Sequence, residues 1–427
     1  MRKKMHKYWE WSFALLLISH CIHVNIQALL LIPLCVTTSL CIKDDFRFYT
    51  TKFNKPLILL FSTLFLLMVV GLFRSFDLED GVTRVSRNLS FIVMPFFTLP
   101  LIKSSSMSRK RFLFVFQAAI LFSGIAFLLF ATYNFWTTGS VSSIPGDSHF
   151  SYNFYMSHLL TNPFGVHPIY HSLVVTMGSV SLISYAASAW NCMWNSRKIL
   201  VLLLLAFHFI LIVLLKSAVF SLLYAFSMAV VLFYFGYKSA LKSIKVTLLA
   251  TLTLILICGI AGKSLITKLE SFEVEYNLSD QHQSALQARL GLWDCATPLF
   301  IGNWLTGVGT GNLQHFLNEE YKARNFKFVL VSGEEYNPHN QFLQYGITYG
   351  ILAPLVLLCL LILILAQSIK QKNTVALLFS LCFLAFCLTE STLQTQRGIL
   401  IFTCFAGIFF NAPNFWKFGI DEDSGNN

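Results

Sequence analysis

Long apolar runs separated by short polar stretches dominate this chain. A membrane-spanning helix needs about 20 mostly apolar residues, and the hydrophobic pattern predicts twelve such segments. We place them at 9–24, 27–42, 56–73, 88–102, 112–135, 167–189, 198–215, 217–236, 244–262, 343–366, 373–389 and 396–412. The pattern therefore predicts an all-α fold, a polytopic helical membrane protein with about twelve transmembrane helices.

Two polar stretches, 136–166 and 263–342, interrupt this pattern. The second is long enough to fold on itself, and helical spacing within it predicts an amphipathic helix over 284–301 and a second helix over 311–324. We expect three parts: an N-terminal transmembrane bundle of about nine helices (1–262), a large loop with short helices (263–342), and C-terminal transmembrane helices with a short tail (343–427).

Composition supports the membrane assignment. Hydrophobic residues make up 56% of the chain, and charged residues make up only 12%. About a quarter of a typical soluble domain is charged. The chain also contains 42 phenylalanines, so we expect the bilayer to be its solvent.

The positive charges predict the orientation. Most of the 31 lysines and arginines lie at the N-terminus and in alternate loops, and such residues concentrate on the cytoplasmic side of membranes. Both termini are therefore predicted to be cytoplasmic, with 136–166 and 263–342 outside. The net charge of +11 is explained by topology, and no motif indicates a nucleic-acid partner. The first span has no clear cleavage site after it, so we expect it to be retained.

Some cations fall on the predicted outer side. Arg74, Arg84, Arg87, Lys216 and Arg397 lie in short outer loops or at outer helix ends. Charged residues in or near a bilayer usually face a cavity or a partner. Cations against apolar walls suit a membrane-embedded anion such as a phosphate or pyrophosphate head group.

Several of these cations also have an ordinary interpretation. Arg74 has acidic neighbours at positions 77, 79 and 80 and is expected to form exposed ion pairs with them. Arg84 and Arg87 share a helix face, where reaching towards head groups explains them as well as a site does. For Lys216 and Arg397 we favour a site.

Histidines open two of the predicted spans from the outer side. His339 follows Pro338 at the start of the tenth, and His167 precedes Pro168 and Tyr170 at the start of the sixth. Histidine exchanges protons near neutral pH, but a structural role is equally open for both. The glycines of GVGTG (307–311) follow a helix and lack dinucleotide-binding spacing, so they predict a tight turn.

Taken together, these motifs resemble the bacterial O-antigen ligase and polymerase family. The resemblance is carried by R-x-x-x-W, G-x-G-x-G, P-H-N-x-x-L-Q, H-P-x-Y and E-S-x-L, and it is most specific across about 285–352. The matching positions are Arg289, Trp293, Gly307, Gly309, Gly311, Tyr321, Pro338, His339, Asn340, Leu343, Gln344, Gly350, His167, Pro168, Tyr170, Glu390, Ser391, Leu393 and Gly398.

The resemblance implies a multi-pass enzyme of the bacterial inner membrane with its active face in the periplasm. Such an enzyme transfers a glycan from undecaprenyl pyrophosphate to lipid A-core, as a ligase, or to another carrier-linked glycan, as a polymerase. Neither a metal nor a cofactor is implied. The expected roles are catalytic for His339 and Arg289, pyrophosphate-binding for Lys216, Arg84, Arg87 and Arg397, and supporting for His167, Tyr170, Trp293, Asn340 and Glu390.

One departure from the family pattern concerns Lys216. Many members carry Ser-Arg at the outer end of a middle span, whereas here Ser217 is preceded by Lys216 and followed by Ala218. A lysine supplies the charge without the planar fork of an arginine. A lipid-linked glycan flippase is the main rival from another functional class. It would normally show two related halves, and we find no such repeat.

Overall fold

The structure is a computed structural model that describes residues 2–19, 24–44, 55–98, 109–139, 142–143, 152–153, 155–238, 278–280, 283 and 285–411. In this part of the chain, regular structure is helical except for one antiparallel pair of two-residue strands. These are β1 (Ser142–Ser143) and β2 (Tyr152–Asn153), with Ser142 opposite Asn153.

The first half of the chain contributes ten α-helices to the described structure. A π-helical turn at Met94–Thr98 and 3-10 turns at Asn162–Phe164 and Trp190–Cys192 lie between some of these helices. The helices are α1 (Arg2–Ser19), α2 (Val24–Asp44), α3 (Lys55–Leu72), α4 (Leu78–Arg87), α5 (Ser90–Val93), α6 (Arg109–Thr138), α7 (Ser157–Thr161), α8 (Pro168–Ala189), α9 (Asn195–Leu215) and α10 (Ala218–Lys238).

Seven α-helices follow in the described second half, with a 3-10 turn at Thr392–Gln394 between the last two. They are α11 (Ala285–Gly302), α12 (Leu313–Ala323), α13 (Lys327–Ser332), α14 (Gln341–Tyr349), α15 (Leu352–Lys370), α16 (Thr374–Thr389) and α17 (Gln396–Asn411). The two helices expected at 284–301 and 311–324 thus correspond to α11 and α12.

Among the described residues, five helices are long and apolar enough to cross a membrane: α3, α6, α8, α9 and α15. Shorter apolar helices lie at Leu29–Ile42, Val219–Val231, Thr374–Thr389 and Gln396–Phe409. The chain is thus a helical, multi-pass membrane protein. The count of twelve spans stays a prediction, because the predicted span 244–262 and part of the span 88–102 lie outside the described residues.

The prediction of one helix for the tenth span, 343–366, is wrong, because the structure has two helices there. The span is broken at Gly350, which separates α14 from α15. Gly350 has a φ of +76°, and a Cβ there would collide with the carbonyl of Leu305. Hydropathy does not reveal the break because apolar residues continue on both sides of it. The break leaves α14 as a short separate helix that carries the His339 loop at its start.

Helix α8 is the most buried of the five membrane-length helices. Of its most apolar 18-residue stretch, 83% is buried inside the protein. It packs against α6, α9, α10 and α16. The hydroxyl groups of Ser172, Thr176 and Ser179 donate to the carbonyl four residues earlier, at 2.7–3.0 Å. Buried hydroxyls need such partners, so local bonding lets a helix rich in serine occupy the centre of the bundle.

The glycine-rich loop 307–312 connects the second polar stretch, 263–342 (called the polar segment below), to the helical bundle. The hydroxyl of Thr310 donates to the carbonyl of Met68 at 2.7 Å, and the amide of Asn312 donates to the carbonyl of Arg74 at 2.9 Å. Asn312 Oδ1 in turn accepts from the backbone N–H of Phe76 at 3.0 Å. The predicted tight turn is therefore also a docking element against the end of α3.

Glycine is required in this loop by close backbone contact. A Cβ at Gly311 would overlap the carbonyl oxygen of Asp77, and one at Gly307, where φ is +69°, would overlap the carbonyl of Thr348. Only a residue without a Cβ lets the two backbones approach in this way. The G-x-G-x-G pattern is thus explained by packing.

We expect Gly311→Ala to destabilise this docking by about 1–3 kcal/mol or more, because backbone carbonyls cannot move aside as a flexible side chain can. The measurement is the melting temperature of the purified protein in detergent. Gly302→Ala is the matched control, since nothing lies within 4 Å of a Cβ at Gly302. An unchanged melting temperature for Gly311→Ala would contradict the docking role.

Candidate functional site

Three distant parts of the chain meet at one carboxylate. Arg289 of α11 places Nη2 2.6 Å from Glu390 Oε1, and His339, just before α14, places Nδ1 2.6 Å from Glu390 Oε2. These partners are separated from Glu390 by 101 and 51 residues in sequence. We refer to Arg289, His339 and Glu390 as the Glu390 cluster.

The loop that carries His339 is held from both sides. Trp293 lies one helical turn after Arg289, and its indole N–H donates to the carbonyl of Pro338 at 2.8 Å. The backbone N–H of His339 donates to Asn337 Oδ1 at 2.8 Å, and Asn340 caps α14 by accepting from the N–H of Leu343 at 3.1 Å. His339 itself has a φ of +45°, an uncommon conformation for a non-glycine residue.

Glu390 directly follows the last residue of α16, and the turn that it begins is also anchored. Its backbone N–H donates to the carbonyl of Phe386 at 2.8 Å. The hydroxyl of Tyr170 donates to the carbonyl of Thr392 at 3.0 Å and accepts from the hydroxyl of Thr395 at 2.8 Å. Tyr170 thus has a defined supporting contact: it ties the start of α8 to the loop next to Glu390.

Gln341 was missed in the sequence, although it directly follows His339 and Asn340. It is fully buried, and its Oε1 accepts from the backbone N–H of Leu393 at 2.6 Å. This bond joins the His339 loop to the Glu390 loop. The neighbouring P-H-N motif is the signal that marks the position, but the partner 52 residues away is visible only in the fold.

Charge and burial together keep Glu390 ionised. Its side chain is only 14% exposed, and burial by itself raises the pKa of a carboxyl group. The hydrogen bond from His339 and the nearby Arg289 guanidinium outweigh burial and hold the pKa of Glu390 below its ordinary range. The carboxylate therefore stays charged at neutral pH, and its contribution is lost only as the pH falls through this lowered value.

His167 and Arg397 lie near this cluster. Arg397 is 3% exposed and acts electrostatically on His167 and Tyr170, as does Glu390. His167 is exposed at the start of α8, and its Nδ1 accepts from the backbone N–H of Ile169 at 3.4 Å.

The other predicted pyrophosphate ligands have different surroundings. Lys216 ends α9 in a left-handed conformation and is exposed, and within the described residues its ammonium group forms no ion pair. Arg84 pairs with Asp80 at 2.5 Å on α4 and lies close enough to Tyr349 of α14 to affect it electrostatically. Arg87, in the last turn of α4, is exposed. Their roles remain predictions.

The expected pairing of Arg74 with nearby acidic residues is wrong. Its guanidinium donates to the hydroxyl of Thr306 in the polar segment. Two of the three neighbouring acids are engaged elsewhere, because Asp77 caps α4 and Asp80 pairs with Arg84. Arg74 therefore helps to dock the polar segment. No group of three or more His, Cys, Asp or Glu side chains in the described residues is placed to hold a metal ion.

Comparison with known proteins gives one family. No curated protein matches the chain. A family model described as O-Antigen ligase matches residues 172–358, which run from α8 into α15 and include both Arg289 and His339 but not Glu390. Over these residues, the chain is similar to the O-antigen ligase family.

Proposed function

We propose that this protein transfers a glycan from undecaprenyl pyrophosphate to a hydroxyl group of lipid A-core on the periplasmic face of the bacterial inner membrane. The similarity of residues 172–358 to the O-antigen ligase family supports this type of activity. The observation that carries the proposal is the Glu390 cluster, in which a guanidinium and an imidazole meet at one carboxylate.

The reaction breaks the bond between the anomeric carbon of the donor glycan and the pyrophosphate oxygen. The acceptor hydroxyl forms a new bond to that carbon from the opposite face and loses its proton, and undecaprenyl pyrophosphate leaves with the bonding electron pair. One displacement of this kind inverts the anomeric centre. The enzyme has to stabilise negative charge on the leaving group and to accept one proton.

His339 is suited to accept the proton. Its Nδ1 faces the ionised Glu390, so we assign the ring proton to Nδ1 and leave Nε2 as the acceptor. The side chain is 29% exposed, which allows a substrate hydroxyl to reach it. A positioned general base contributes about 10²–10⁴-fold to the rate.

Arg289 is suited to stabilise the pyrophosphate. A guanidinium carries five N–H donors in a planar fork. Arg289 donates to Glu390 through Nη2, so the same group has the capacity to bind phosphate oxygens as well. We propose that Arg397, Arg84, Arg87 and Lys216 supply further positive charge around the head group, and that Trp293, Asn340, Tyr170 and His167 position the site. In keeping with the family resemblance, the proposed chemistry uses neither a metal nor a nucleotide sugar.

The proposed orientation follows the positive charges of the loops. Both termini are cytoplasmic, 263–342 lies in the periplasm, and this loop separates an N-terminal bundle, 1–262, from the C-terminal helices, 343–427. The Glu390 cluster is formed between the loop and the ends of α14 and α16. In this arrangement the cluster faces the side on which a lipid-linked glycan and lipid A-core meet.

Glycan profiling of a deletion strain tests the proposal. We expect lipid A-core without attached glycan, while polymeric carrier-linked glycan is retained, and wild-type protein supplied in trans should restore the attachment. Attached chains of only one repeat unit would identify a polymerase with the same donor. A flippase would be indicated if carrier-linked glycan accumulated on the cytoplasmic side in the deletion strain and the purified protein left the covalent length of the glycan unchanged. That result would overturn the proposal.

A further inference from the structure

Glu390 serves two partners at once. One carboxylate oxygen lies 2.6 Å from the Arg289 guanidinium and the other lies 2.6 Å from the His339 imidazole. All three side chains are less than one third exposed. A single anion thus balances both the cation proposed to hold the donor and the base proposed to activate the acceptor.

This arrangement creates a conflict for donor binding. Phosphate oxygens and a carboxylate compete for the same guanidinium donors, and two anions at close range repel each other. A site designed only for affinity would lack a carboxylate at this position. The position of Glu390 is explained if it does something for His339 that offsets its cost to donor binding.

We propose, on the basis of the function proposed above, that Glu390 is a positioning residue that couples donor occupancy to the base. Without donor, its carboxylate holds both Arg289 and His339. Donor diphosphate replaces the carboxylate at Arg289 Nη2, and Glu390 then serves His339 alone. In that state it holds the Nδ1 proton and stabilises the imidazolium that forms when Nε2 takes the proton of the acceptor hydroxyl.

Two contacts support this exchange of partners at Arg289. Glu390 begins a turn that is fixed to α8 through Tyr170 and to α14 through Gln341, so the carboxylate stays beside His339 when Arg289 changes partners. Arg289 belongs to α11, a separate element that packs against α14. The turn that carries Glu390 is thus tied to the His339 loop by a bond in which Arg289 takes no part.

The test is Glu390→Gln, which keeps the shape of the side chain and removes its charge. Binding is measured with undecaprenyl pyrophosphate without glycan as the probe, and turnover with carrier-linked glycan. We expect the Kd of the probe to fall by about threefold to tenfold, because the competing anion is gone. We expect kcat to fall by about 10²-fold or more, because glutamine neither holds the required tautomer nor stabilises the imidazolium.

A double-mutant cycle isolates the coupling. In an Arg289→Ala background, Glu390→Gln should change the Kd of the probe by less than about twofold, since the guanidinium for which carboxylate and diphosphate compete is absent. Glu335→Gln removes the same charge from an exposed position five residues before Asn340 and should leave both constants unchanged. Melting temperatures of all variants establish that they are folded.

The outcomes separate the two proposals. Weaker probe binding in Glu390→Gln, or wild-type kcat, overturns the coupling even if Arg289→Ala and His339→Ala are inactive. Tighter binding that persists without Arg289 also overturns it, because simple repulsion then explains the gain. Full activity of Arg289→Ala and His339→Ala instead contradicts the proposed function itself.

Discussion

Replacing His339 by alanine is expected to lower kcat for glycan transfer by about 10²–10⁴-fold, the usual contribution of a general base. The reason is that Nδ1 is held by Glu390, which leaves Nε2 as the proton acceptor in the Glu390 cluster. Because the variant also leaves the largely buried Glu390 with one partner fewer, its melting temperature has to be measured alongside. The measurement is the transfer rate with purified enzyme, carrier-linked donor and lipid A-core.

The matched control is His315→Ala. His315 is also a histidine of the polar segment, but it is exposed on α12 and pairs with Glu319 at 3.2 Å. We expect its removal to leave the transfer rate within about twofold of wild type, since exposed pairs of this kind contribute little. Equal rates in both variants would exclude His339 as the base.

Replacing Arg289 by alanine is expected to lower the rate by about two to three decades, or about 3–4 kcal/mol, as found when one preorganised donor to developing negative charge is removed. Arg289→Lys should recover only part of this loss, because lysine keeps the charge without the planar fork. Transfer kinetics at saturating acceptor, over a range of donor concentrations, measure both kcat and KM.

Lys322→Ala is the control for the loss of one positive charge in Arg289→Ala. Lys322 is an exposed cation near the end of α12, so its loss reproduces the change in net charge without touching the Glu390 cluster. Insertion has to be checked for Arg289→Ala, because the variant leaves the largely buried Glu390 with one cationic partner fewer. A folded, inserted Arg289→Ala enzyme with the wild-type rate would remove Arg289 from the mechanism.

Local patterns predicted much of the secondary structure. Apolar runs indicated α3, α6, α8 and α9 within a few residues, and helical spacing indicated α11 and α12. These features depend on how successive residues partition between lipid and water, which a sequence records directly. The break at Gly350 escaped this reasoning, since it depends on contact with the carbonyl of Leu305.

The candidate residues were also indicated by short motifs, but their contacts were not. R-x-x-x-W and P-H-N contain Arg289, Trp293 and His339, and the structure adds the bond from Trp293 to the carbonyl before His339. The expected partners of Arg74 were wrong because Asp77 and Asp80 are used by α4 itself, and Arg74 contacts Thr306 of the docked loop. Proximity along the chain is a weak guide where a distant loop docks.

The sequence by itself determined that the chain is a helical membrane protein with motifs that resemble the O-antigen ligase family, because hydrophobicity and motif spacing are properties of consecutive residues. Only the tertiary structure decided that Arg289 and His339 share Glu390, and that the glycine-rich loop docks on the end of α3. Such contacts join residues 51 to 242 positions apart. They arise when helices pack and loops close, which no local pattern specifies.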